Sequence, residues 1–198
     1  MSGLTGFALG LSAARSIKGQ TLAGDNILFE PTNPVDITAP LICVYTGRGR
    51  SEFRDKELIF ATDVRLRFEI FLPPAVTVSG VTLNTEASQA LVFGIIWRQI
   101  EQALLIQQGA WPDVYREFLL RTVALAYERD LFEPAQGQKV PVAVYELHGE
   151  TIAEPTIGMP PSGPWADLLN AMANDTAELA SLAELMAELI VGIQNGLP

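Results

Sequence analysis

From Thr62 to Leu72 the chain places Val64, Leu66, Phe68, Ile70 and Leu72 on one side and Arg65, Arg67 and Glu69 on the other. A strand turns successive side chains to opposite faces, so this period of two demands a sheet with one face covered and the other wet. Pro73 and Pro74 then end the strand. The cover stands close by. Between Glu86 and Gln107, the residues Leu91, Ile95, Ile96, Ile100, Ala103, Leu104 and Ile106 recur at helical spacing, predicting the longest helix of the main domain, laid across the apolar sheet face.

The remaining elements fit the same plan. Leu4, Phe7, Ala8, Leu11 and Ala14 step by threes and fours and predict a first amphipathic helix over 4–17, despite Gly6 and Gly10. Asn26 to Glu30 reads as a short extended piece, and Pro31 to Pro40 as loop. Leu41 to Thr46 has the β-branched and aromatic content of a buried strand. It joins the alternating strand through GRGRSEFRDKELIFA, too long and polar for a tight turn, which makes the two a long-looped antiparallel pair. Trp111-Pro112-Asp113 opens a short helix through Leu120. Arg121 to Glu128 and Val140 to Leu147 are two more strands, separated by a loop from Asp130 to Lys139. The sum is an α+β domain: an antiparallel or mixed four-stranded sheet with helices packed on one face, and no internal repeat.

Composition changes near residue 153. Residues 151–198 carry six acids and no base, while all 13 basic residues precede them. Glu154, Pro155, Gly158, Pro160, Pro161, Gly163 and Pro164 crowd the break, a linker signature. The expected organisation is therefore an α+β domain over 1–152, a Pro/Gly linker over 153–163 and an acidic helical extension over 164–198. Proline suits the first helical position, so the extension starts at Pro164. Its apolar stripe is Trp165, Leu169, Met172, Leu179, Ala183, Met186, Ile190 and Ile193, and Asp175 with Glu178 resembles a capping box that divides it into two helices near Asn174.

Several function classes lose ground on counts alone. A net charge of −10 argues against nucleic-acid binding by bulk charge. Cys43 is the only cysteine, which removes an internal disulfide framework and a cysteine zinc site, and fits a reducing cytosol. His148 is the only histidine, so paired-histidine metal sites are excluded; beside Gly149 it reads as a strand-end surface residue. No apolar run reaches the roughly 18 residues of a membrane helix, and Met1 to Leu11 lack the positive start of a secretory signal and read as mature chain. Gly47-Arg48-Gly49 follows a strand as a dinucleotide loop does, but Glu52 stands where the third glycine belongs. Asp63, Glu69, Glu128 and Glu146 could pair across the sheet for catalysis, though strand-face acids are ordinarily a solvated face. No catalytic, cofactor-binding or metal residue is assigned.

Two features point to partners. Arg48, Arg50, Arg54 and Lys56 concentrate four bases within nine positions, suited to phosphates or an acidic protein surface, or simply a solvated loop. The tail stripe, with Trp165, Leu169, Met172, Leu179, Met186 and Ile190 at its centre, can fold back on its own domain or dock on a neighbour. Docking is the favoured expectation, because apolar stripes beyond a core tend to mark interaction surfaces, and a basic partner surface would relieve the repulsion of Glu184 and Glu188 on a segment with no cation.

The order of these features resembles the lambda-type tail-terminator family of long-tailed bacteriophages. The resemblance runs over residues 4–150 and is carried by ILFEPTNP, APLICVYTG, the polar loop, DVRLRFEIFLPP and RTVALAYERDLFEPAQGQKVPVAVYEL, including Tyr127, Glu128, Arg129 and Asp130. It implies a virion protein assembled in the host cytoplasm. In that family a ring, usually hexameric, ends tail-tube polymerisation and meets the head-completion or connector protein, while DNA crosses the lumen without sequence-specific binding. The Arg48, Arg50, Arg54 and Lys56 loop would face tube or lumen, with no cofactor and no membrane involved. Another neck component, such as a head-completion or tail-tube protein, is the nearest alternative; a helix-docking adaptor and a small hydrolase are others.

Overall fold

A computed structural model describes residues 3–32, 37–47, 62–135 and 138–192. Its elements in chain order are α1 (Leu4–Ile17), β1 (Ile27–Phe29), β2 (Leu41–Gly47), β3 (Thr62–Phe71), β4 (Val76–Val78), β5 (Val81–Leu83), α2 (Glu86–Leu105), α3 (Ala110–Phe118), β6 (Leu119–Ala135), β7 (Gln138–Thr151), α4 (Pro164–Ala173) and α5 (Ala177–Val191). The fold is α+β: a mixed five-stranded sheet in the order β1-β2-β3-β7-β6, with a separate β4-β5 hairpin.

The alternating strand lies at the centre of the sheet, and Val64, Leu66, Phe68, Ile70 and Leu72 are all buried. β2 and β7 flank it antiparallel, with Phe68 opposite both Val44 and Tyr145. Helix α2 covers this face. Trp97 stacks on Tyr145 with ring centroids 4.0 Å apart and meets Phe68 edge-on at 5.7 Å. Thr85 starts α2 with a capping box to Ser88.

Three departures from expectation have local causes. The sheet has five strands where four were expected, because the short piece Ile27–Phe29 pairs parallel to β2. The expected Asp130–Lys139 loop is mostly strand: β6 and β7 run on together, and a register shift between Phe132 and Ala135 takes up Pro134 at the sheet edge. The β4-β5 hairpin was not anticipated; its turn sets Ser79 and Gly80 at φ of 50° and 80°, the conformation that a two-residue hairpin turn requires.

Helix α1 is buried nearly all round, not along one stripe. Small residues explain this, since Gly10 lies so close to β1 and β2 that a Cβ there would strike Thr46 and Phe29. On its other side α1 meets α3.

The tail helices pack on the same body. Trp165, Leu168, Met172, Leu179, Met186 and Ile190 belong to one hydrophobic cluster with α1, α2, α3 and the sheet, and Trp165 meets Phe118 edge-on at 4.8 Å. The segment between β7 and α4 is tied down at both ends. The Glu154 carboxylate accepts a hydrogen bond from Thr5 N (3.2 Å), capping an α1 that has no side-chain cap of its own, and Gly158 N donates to the Ile190 carbonyl (2.8 Å) in the last turn of α5.

Candidate interaction surface

Strand β6 forms the sheet edge beside β7, and every residue from Leu120 to Leu131 is exposed. Strands at a sheet edge normally bury one face; here neither face is covered, although the stretch contains Leu120, Val123, Leu125, Tyr127 and Leu131. Register assigns the faces. Leu125, Tyr127, Arg129 and Leu131 lie opposite Leu147, Tyr145, Ala143 and Pro141, on the side that α2 covers further in. The helical layer stops at Trp97 and Phe93, leaving an apolar shelf. Tyr127 lies 4.7 Å from the Tyr145 ring, and the Arg129 guanidinium is 5.7 Å from the centroid of Phe93. The Tyr145 phenol is pushed above its ordinary range by burial first, then by Tyr127.

Helix α5 is the second unusual element. One face enters the core through Leu179, Ala183, Met186 and Ile190. A neighbouring stripe of Leu182, Leu185 and Leu189 is 38%, 53% and 50% exposed. Glu178, Glu184 and Glu188 share the exposed surface and make no ion pair among the described residues.

The residues singled out by sequence divide accordingly. Arg48, Arg50, Arg54 and Lys56 lie outside the described residues, as does Ile193. Trp165, Met172, Leu179, Met186 and Ile190, expected to meet a partner, are buried in the chain's own core, and Leu169 is half-buried against it. The correction is physical: α4 packs on α3 and on α5, and the stripe joins the same hydrophobic cluster as α1, α3 and the sheet, so it closes this chain's core. What sequence reasoning missed is the weaker second stripe. Its signal was the surplus of leucine in α5, more than one buried face can use.

The expected capping box at Asp175 and Glu178 is also different. Thr176 caps α5 by accepting from Leu179 N at 3.3 Å. Asp175 is instead held by the Arg15 guanidinium of α1 and by the Trp111 indole N–H of α3 at 2.8 Å. Beside it a cleft of about 770 Å³ between α3 and α4 is lined by Asp113, Glu117 and Asp167.

The outer sheet face separates into an apolar end and a charged one. Leu41, Cys43, Phe71, Val140 and Val142 form a small second core with Ile37. Burial there pushes the Cys43 thiol up to about 12, and the side chain acts as a small hydrophobe. At the charged end Arg67 pairs with Glu69 at 2.5 Å, Arg65 with Glu146 at 3.6 Å, and His148 Nε2 lies 2.7 Å from the same Glu146. Thus two of the four strand acids considered for catalysis, Glu69 and Glu146, face cations. His148 sits within β7, three residues before its end, and not at a strand terminus.

Among the described residues no group of His, Cys, Asp and Glu is placed to hold a metal ion, and no helix is long and apolar enough to cross a membrane. No protein-family model matches the chain, and no curated protein matches it.

Proposed function

We propose that this chain is a tail-terminator-like ring protein of a long-tailed bacteriophage, closing the head-proximal end of the tail tube and joining it to the head connector. The observation that carries the reading is β6: twelve consecutive exposed residues, five of them large and apolar, on a strand that needs a neighbour to cover it. Most of the same strand lies in one of the stretches that carry the family resemblance, the one from Arg121 to Leu147. A ring offers such a cover to every subunit at once. The acidic net charge suits a lumen through which DNA slides without sticking. In this reading Arg48, Arg50, Arg54 and Lys56 meet the tube or the lumen, and the protein acts through shape and surface charge.

The test is assembly on tubes. The purified chain is mixed with tail-tube protein, and mass in solution is followed together with electron micrographs of tube ends. Rings capping one end of length-limited tubes are expected. Replacing Arg48, Arg50 and Arg54 with Ser should weaken docking while leaving the melting temperature nearly unchanged. A chain that stays solitary beside its tube overturns the reading.

A further inference from the structure

The shelf of β6 and the outer stripe of α5 are complementary, and they lie on different parts of the chain. The shelf is apolar through Leu125, Tyr127 and Leu131 and carries one cation, Arg129, with no ion pair among the described residues. Glu101 of α2, which acts on the neighbouring Tyr145, is already paired to Arg98 at 3.0 Å. The α5 stripe is apolar through Leu182, Leu185 and Leu189 and carries only acids. The stripe from Leu182 to Leu189 spans about 10 Å at helical rise, so it fits within the roughly 20 Å from Leu125 to Leu131 at strand rise.

We infer that a second copy of this chain occupies the shelf, laying the Leu182-Leu185-Leu189 side of its α5 on Leu125, Tyr127 and Leu131 with its glutamates toward Arg129. The incoming helix continues the layer that α2 begins, so the bare strand gains the cover the other strands already have. Because stripe meets shelf, the contact is head-to-tail. Each copy keeps a free stripe at one end and a free shelf at the other, and repetition gives a ring when the rotation closes. The inference rests on the ring reading only for that closure.

The experiment uses two full-length variants at positions more than half exposed, Leu185→Asp in the stripe and Leu131→Asp in the shelf, checked for native circular dichroism. Sedimentation of the wild type across a wide concentration range should show association. Each variant alone should associate at least about tenfold more weakly. An equimolar mixture should form one-to-one pairs, since the intact shelf of one variant meets the intact stripe of the other. A wild type that stays monomeric at its highest soluble concentration, variants that associate as the wild type does, or a mixture that does not pair overturns the contact. Capture of tubes separates this from the functional reading: association and pairing without tube binding leave the contact standing and remove the phage role. Tube capping unaffected by either variant does the reverse.

Discussion

Asp175 ties three helices together, because its carboxylate takes the Arg15 guanidinium and the Trp111 indole N–H at the joint between α4 and α5. Both charged side chains are more than four-fifths covered, so the ion pair is shielded from solvent. Asp175→Asn should cost about 1–3 kcal/mol, read as a lower denaturant midpoint with unchanged slope; a midpoint that does not move removes the joint from the list of anchors. Glu117, across the cleft in α3, works the opposite way. Burial raises its carboxyl above the ordinary value, and Asp167 and Asp113 add to it. The folded chain therefore keeps this proton to higher pH than the unfolded chain does, so the penalty is absent in acid and grows as pH climbs past the normal carboxylate range. Glu117→Gln should raise the melting temperature at neutral pH and leave it alone in acid. An equal shift at both pH values contradicts that account.

Elements with a single clean period were legible in the residues, and those shaped by distant contacts were not. β3 reads directly because one of its faces is core and the other carries Arg65, Arg67 and Glu69. α1 was placed at its observed ends, yet its sidedness was misjudged, since Gly6, Gly10, Ser12 and Ser16 are buried by close approach and not by hydrophobicity. Gly10→Val should push α1 off Thr46 and Phe29 at a cost of about 1–3 kcal/mol, measured by chemical denaturation; a neutral result means the helix can shift without loss. The β4-β5 hairpin carried a visible signal in Ser79-Gly80 between two β-rich triplets. The double sidedness of α5 showed only as a surplus of leucine, because a helical wheel shows apolar residues without saying which the fold covers first. The candidate surface was legible only as strand pattern in β6, for bareness on both faces depends on where α2 stops.

At the scale of the whole molecule, the tail and the sheet share one hydrophobic cluster, although composition changes sharply between them. The connector reinforces this by lending Glu154 to the N-terminus of α1 and Gly158 to the last turn of α5. Fully burying a large apolar side chain is worth roughly 1.5–3 kcal/mol, so Trp165, Leu168, Met172, Leu179, Met186 and Ile190 together contribute on the order of 10 kcal/mol. That matches the whole net stability of a typical domain, about 5–15 kcal/mol. A chain ending at Ile152 would also expose the core side chains Val114, Tyr115 and Phe118 of α3, which touches α4 in the intact fold. Such a truncation should lose its cooperative melt and bind hydrophobic dyes, while retaining strand signal in the far ultraviolet. A sharp thermal transition with intact near-ultraviolet bands in the shortened chain would show instead that residues 1–152 hold themselves together and that the tail's burial here is incidental.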